Sequence, residues 1–327
     1  MLLSLWKRKK ILLWLLLLLG LALYPYIGAS GLQLFSATQL FIWVVLASNW
    51  NLIAGMTGYV DFGHAVFFGI GAYVMGILVT PSPLLFAPGL SFWQALPWAG
   101  LAVVLFALLI GWATLRLKGP YFSIAMLGTF AATREVVRIL RPLTGGGVGL
   151  DLPPMLNRIS DYYFMLGVMG LVVSLIWWIR NSEFGLSLIA IREDEIGAEM
   201  RGINTTAHKL TALAIAAFFT GLTGAFWAWQ NTYIDPDVVF VGIRNINMVM
   251  MSLLGGIGTV WGPPLGAVVL VVLQDVVWSN LLHYHLLVLG MLLILLVLLI
   301  PSGILGALSN RRAFSVKMLL KRWSQAR

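Results

Sequence analysis

The chain is predicted to be an all-α integral membrane protein of about ten transmembrane helices, and three observations carry that prediction. Its residues are 60% hydrophobic and 10% charged, with a mean hydropathy of +0.93; soluble domains run to roughly half apolar and a quarter charged. Apolar runs long enough to cross a bilayer recur from end to end. The basic residues behind the net charge of +9 gather at the two ends and between those runs, which suits a membrane surface and argues against a nucleic-acid partner. A water-soluble fold could not cover so much apolar surface. Cut into helices of about 20 residues, the 327 residues leave no room for a soluble domain.

The spans are expected at about 11–27, 34–54, 62–80, 95–115, 120–140, 161–179, 208–230, 243–259, 264–282 and 285–300. They form one transmembrane domain over residues 1–327, with a long loop at 180–209 and a basic tail at 301–327. Ahead of the first span, Lys7, Arg8, Lys9 and Lys10, an apolar stretch and the small residues Gly28, Ala29 and Ser30 have the layout of a secretory signal. The apolar run is longer than such signals carry and many spans follow, so it reads as a retained helix. The third span is punctuated by Gly63, Gly69, Gly71 and Gly76, the eighth by Gly255, Gly256 and Gly258. Both patterns admit a complete, broken or re-entrant helix.

Orientation follows from the basic residues. With an even number of spans, one side holds Lys7 to Lys10, Arg116 and Lys118, Arg180, Arg192, Arg201 and Lys209, and the six C-terminal Lys/Arg from Arg311 onward. Only Arg134, Arg138, Arg141, Arg158 and Arg244, five of 21, lie elsewhere. Both termini are therefore expected in the cytoplasm.

The 180–209 loop is the one richly charged stretch between spans, and it reads as two short helices. After Phe184 to Ile191, the acids Glu193, Asp194 and Glu195 open a second helix, Arg201 sits in its last turn, and Gly202 follows as a C-terminal cap. Ile189, Ile196, Met200 and Ile203 recur at helical spacing, an apolar stripe beside a charged face. A basic amphipathic helix would lie on lipid headgroups; a loop that is acidic as well fits a protein partner better.

Two glycine-rich segments carry further meaning. Residues 55–73 place Gly58, Asp61, Gly63, His64, Phe68 and Gly71 at the start of the third span. Residues 255–266 place Gly255, Gly256, Gly258 and Gly262 between the eighth and ninth. Small residues let helices approach or unwind, and unwound backbone at membrane depth lines protein or a watery cavity. A third segment runs from Lys118-Gly119-Pro120-Tyr121 through Thr129, Thr133, Arg134, Glu135 and Arg138. Ionisable groups inside a span are costly and mark function, although Glu135 and Arg138 also suit a local pair near the interface. Asp275 lacks a partner in sequence and reads as a hydrogen-bonded interior carboxylate.

Several chemistries are excluded or weak. The chain has no cysteine, so disulfides and thiol chemistry are absent; four His offer few metal ligands, no metal is expected, and no catalytic residue is assigned. No Gly is followed by Lys and a hydroxyl residue, so there is no phosphate-binding loop. His283 and His285 flank Tyr284 without an acid cluster, a poor hydrolase site. Asp61, His64, Glu135 and Asp275 would have to form the relay of an ion-coupled secondary transporter.

Six ordered strings, NLIAGMTGYVDFGHAVFFGIGAY, GPYFSIAMLGTF, LTGGGVGL, FGLSLIAIREDEIGAEMRGIN, LTALAIAAFFTGLTGA and GGIGTVWGPPLGA, spread over roughly residues 35–305, resemble the larger permease subunit of the branched-chain amino acid ABC importers, a family that also includes urea and amide permeases. The resemblance implies a ten-helix permease of a bacterial or archaeal cytoplasmic membrane, in contact with lipid. It implies pairing with a homologous second permease and two cytoplasmic ATP-binding subunits, and delivery of solute by a periplasmic or tethered binding protein. ATP and Mg would be used by the partners, with no cofactor on this chain. It makes the loop between spans six and seven the coupling element, through Phe184, Glu193, Asp194, Glu195, Glu199 and Gly202. The glycine-rich segments, with Tyr121 and Thr129, would then line the substrate pathway. Two departures stand out. The usual Glu-Ala-Ala start of the coupling pattern is replaced by Ile196-Gly197-Ala198, with Glu195 and Glu199 displaced, and Asp61 stands where relatives commonly have Ser.

Overall fold

The structure, a computed structural model, describes residues 2–81, 89–153, 157–280 and 303–309, with isolated helical positions at 287, 290, 291 and 294. His283, His285, most of the expected tenth span and nearly all of the tail lie outside the described residues. The helices are α1 (Leu2–Leu23), α2 (Gly31–Thr57), α3 (Ala65–Val79), α4 (Phe92–Thr114), α5 (Pro120–Ile139), α6 (Arg141–Thr144) and α7 (Arg158–Arg180). There follow α8 (Glu183–Glu193), α9 (Glu195–Met200), α10 (Thr205–Asn231), α11 (Pro236–Val239), α12 (Ile243–Gly255), α13 (Gly262–Asn280) and α14 (Gly303–Ser309). A two-residue ribbon, β1 (Leu150–Asp151) with β2 (Tyr233–Ile234), is antiparallel.

Among the described residues, α2, α4, α7, α10 and the stretch Pro236–Gly255 are long and apolar enough to cross a membrane; Leu13–Ile27, Ala65–Val79 and Gly262–Asp275 are shorter apolar helices. Polar caps set where several begin. Ser30 and Gln33 form a capping box on α2, Asn157 accepts from Ile159 and Ser160 at α7, Ser182 from Gly185 at α8, and Asn204 from Ala207 at α10. Each such cap contributes on the order of 1 kcal/mol.

The core is built around α2 and α10. Every residue of α2 from Val44 to Thr57 is buried, as expected of a helix surrounded by others. Along one side α10 packs on α3 and α4. That contact is close because Gly71 of α3 meets the backbone at Gly221, and Gly224 meets the backbone at Phe68.

Both glycine-rich segments interrupt helices. Between α2 and α3, residues 58–64 leave helical geometry; α12 stops at Gly255 and α13 starts at Gly262. Gly255 lies against the backbone of Gly262, and Gly266 against that of Met251, so α12 and α13 fold back on each other in close backbone contact at their joined ends.

Candidate functional site

Residues 58–64 bury Tyr59, Asp61, Gly63 and His64 while Gly58 and Phe62 stay exposed. Asp61 and His64 are both fully buried, and the segment is held from four sides. Trp50 of α2 donates to the Asp61 carbonyl at 2.7 Å, Ser123 of α5 to the Val60 carbonyl at 2.6 Å, and Gly63 N–H to Asp61 Oδ1 at 2.8 Å. Asn245 of α12 accepts from Ala65 N–H at 2.7 Å. His64 Nδ1 lies 2.9 Å from Asp61 Oδ2 and its Nε2 3.0 Å from Thr220 Oγ1, which accepts from Asn49 at 3.2 Å. The His64 ring thus bridges the Asp61 carboxyl and the Thr220 hydroxyl, with both carboxyl oxygens and both ring nitrogens engaged, whereas Nδ2 of Asn245 has no partner. The bonds enclosed at Asp61 and His64 favour one backbone path.

The four groups of an ion-coupled relay are not brought together. Asp61 and His64 bond each other; Glu135 is exposed and pairs with Arg138 at 3.3 Å; Asp275 is exposed on α13, not the hydrogen-bonded interior carboxylate expected from sequence. Arg134 and Arg138 both reach Asp237 of α11, a partner invisible in the local sequence. Phe68 is fully buried beneath the Arg244 guanidinium, 4.0 Å from the ring centroid. Arg244 also stacks on Trp227 and donates to the Val239 carbonyl. Among the described residues no carboxylate pairs with it.

The 180–209 loop forms α8 and α9, joined at Asp194. Gly202 has φ +84°, its N–H bonds the Glu199 carbonyl, and Ile203 N–H bonds that of Ala198. This pair of bonds is the Schellman ending that the sequence pattern suggests. Leu186, Ile196 and Met200 are exposed, Met200 at 85%. Phe184 stacks on His208 and Glu199 accepts from Thr205 at 2.8 Å.

Glu195 points inward. Its carboxylate accepts from Lys209 Nζ at 2.7 Å and from the Tyr59 hydroxyl at 2.7 Å, while Lys209 also donates to the Leu115 carbonyl and lies over the Tyr59 ring. Lys209 is 2% exposed and Glu195 15%. Burial pushes the Glu195 carboxyl up, but the hydrogen bonds from Lys209 and Tyr59 outweigh it and hold it below the usual carboxylate range. Burial and the Glu195 bond push the Tyr59 hydroxyl up.

Arg192 extends from the end of α8 to the Gly55 carbonyl at 2.8 Å and is braced by Glu193 at 2.7 Å. Asn51 accepts from Gly258 N–H at 2.7 Å and donates to the Thr259 carbonyl at 2.9 Å. Beside them lies a cleft of about 350 Å³ whose walls include Gly58, Tyr59, Gly119 and Arg192. A second cleft, about 560 Å³, is lined by Gly58, Val60, Phe62, Gly119, Ser123 and Leu127. The two share Gly58 and Gly119. Tyr121, beyond them on α5, is 72% exposed, and Thr129 is half-buried.

Of the proposed pathway glycines, Gly58 borders both clefts, whereas Gly63, Gly71, Gly255 and Gly262 lie against backbone of neighbouring elements; Gly256 caps α12. Sequence reasoning missed Asn49, Asn51, Lys209 and Arg192. The signal for the asparagines was present, since polar side chains inside an apolar run are expensive unless paired. For Lys209 and Arg192 there was none.

The family model described as branched-chain amino acid transport system / permease component matches residues 32–297. Among curated proteins the chain is similar to the high-affinity branched-chain amino acid transport system permease protein LivM of Escherichia coli K12, 29% identical over 91% of this chain and 75% of that protein. LivH of Salmonella typhimurium, a permease protein of a system of the same description, is 26% identical over 84% of this chain and 96% of its own length. The autoinducer 2 import system permease protein LsrC of Yersinia pseudotuberculosis is 30% identical over 54% of each chain. No solved structure gave a significant match. With apolar helices of spanning length and a family match over most of its residues, the chain is a multi-pass membrane protein of the branched-chain amino acid transport system permease family.

Proposed function

We propose that this chain is one of two permease subunits of an ATP-driven importer, carrying branched-chain amino acids or similarly small polar solutes inward across the cytoplasmic membrane through ten spans. The observation that carries the reading is the 180–209 loop. Its outer face presents Leu186, Ile196 and Met200 to a partner while Glu195 and Arg192 are bonded inward to the bundle. A rigid element whose outer surface sets these apolar side chains beside exposed Glu193, Asp194 and Glu199, with Glu195 anchored inward, suits transmission of motion from a docked ATPase. The solute class rests on the names of LivM and LivH, and a binding protein would set the choice among solutes. The clefts along Gly58, Gly119 and the exposed face of α5 support a pathway there, completed by the second permease.

The test is uptake by vesicles holding this chain, a second permease and the ATPase subunits, with binding protein and labelled leucine. Uptake is expected only with ATP inside the compartment of the loop. Uptake by this chain alone under a proton or sodium gradient, without nucleotide, would refute the reading.

A further inference from the structure

We infer that Arg192 is a positioning residue that ties the 180–209 loop to both helix interruptions, so that a displacement of α8 reaches residues 55–58 through this side chain and residues 256–259 through its contact with Gly258 and the neighbouring Asn51. The inference deepens the proposed function and rests on it. Three contacts converge on this guanidinium. Nη1 donates to the Gly55 carbonyl at 2.8 Å, one of the last carbonyls of α2, which lack a partner within the helix and attract a cation. Nε and Nη2 both donate to Glu193 Oε1, at 3.1 and 2.7 Å, which fixes the plane of the fork from the loop side.

The third contact is a seat made by missing side chains. A Cβ on Gly58 would come within 2.9 Å of Arg192 Cγ, and one on Gly258 within 2.7 Å of Arg192 Nη1. Both glycines have left-handed φ, +79° and +73°. Any side chain at either position would be strained and would also displace Arg192. Asn51, one helical turn before Gly55, closes the link by holding Gly258 N–H and the Thr259 carbonyl. Two segments far apart in sequence thus carry glycine where one arginine from the loop lies between them.

A lysine cannot reproduce this arrangement, because a point charge lacks the fork that bonds Gly55 and Glu193 together. The test uses the full reconstituted complex carrying Arg192→Gln, Arg192→Lys or, at the far end of the link, Asn51→Ala. Complex yield and basal ATP hydrolysis are expected to stay at wild-type values, as is the thermal midpoint of the two Arg192 variants; Asn51→Ala, which leaves the Gly258 N–H without its acceptor, is expected to lower the midpoint while the complex still assembles. Uptake, and the stimulation of hydrolysis by loaded binding protein, are expected to fall about tenfold in Arg192→Gln and Asn51→Ala, with Arg192→Lys little better. Wild-type stimulation and uptake in Arg192→Gln overturns the inference. So does loss of uptake that merely tracks loss of assembled complex in both Arg192→Gln and Asn51→Ala, which would make the contact a structural clip. A wild-type complex without ATP-dependent uptake would instead sink the proposed function itself, whatever the variants do.

Discussion

Lys209 is a cation taken out of water on the second turn of α10, and its surroundings explain how that is tolerated. Glu195 supplies the counter-charge, and Tyr59 and Leu115 supply the remaining acceptors. Lys209→Met should destabilise the protein by roughly 2–3 kcal/mol, somewhat less than a fully buried pair because Glu195 keeps some contact with water; thermal unfolding in detergent measures it. The pH sign follows from the depressed Glu195 carboxyl. A group held lower in the folded state contributes stability that is present above its unfolded value, about 4.3, and is lost as pH falls through the folded value. Acid should therefore loosen α9 from Tyr59, and Glu195→Gln should flatten that part of the profile. If the profile of Glu195→Gln overlays the wild type, the pair is not what couples proton binding to folding. Asp61 and His64 differ in kind: fully enclosed and satisfied, they argue for a fixed backbone path, and His64→Leu should leave Asp61 Oδ2 without its donor and lower the yield of folded protein.

At the scale of elements, α8 and α9 were legible in the sequence because their signals are local. Acids at a helix start, an apolar stripe and a terminal glycine each operate within one or two turns, and Gly202 does adopt left-handed φ. The same locality explains what was hidden. That Glu195 faces Lys209 rather than a partner, or that Arg134 and Arg138 share Asp237, depends on where α10 and α11 return. No periodicity within the loop or α5 encodes that. Gly202 gives a clean test of the loop because a Cβ there meets nothing within 4 Å. A β-branched residue would suffer only the conformational penalty, about 1–2 kcal/mol. Gly202→Val should leave the helical bundle folded while fraying the end of α9, so that the complex forms but its ATP hydrolysis no longer responds to loaded binding protein. Gly202→Asn, which tolerates this conformation better, should recover part of the response. Wild-type stimulated hydrolysis in Gly202→Val would remove α9 from the coupling path.

At the scale of the whole molecule, the uneven distribution of burial shows which faces are left open. Nearly all of α2 beyond Leu40 is covered, whereas α5 leaves Tyr121, Ile124, Leu127 and Ile139 exposed along one side. Such a face can meet lipid, a second permease or a watery pathway, and chemistry separates these. Ser123, Thr129 and Thr133 place hydroxyls along α5, and Ser123 lines the larger cleft with Gly58 and Gly119. The native chain contains no cysteine, so a single thiol introduced at Leu127, beside that cleft, is the only thiol on this subunit. Leu127→Cys is expected to react with a charged, membrane-impermeant thiol reagent in the assembled complex, and the adduct is expected to block uptake. Trp112→Cys serves as the control, because Trp112 is 58% exposed on α4, outside the residues that line either cleft, and should stay unmodified in a bilayer. Reaction that requires ATP turnover would place the thiol in a space that opens during transport. A Leu127 thiol as inert as the one at position 112, with uptake unaffected, would assign this face of α5 to lipid and move the pathway elsewhere.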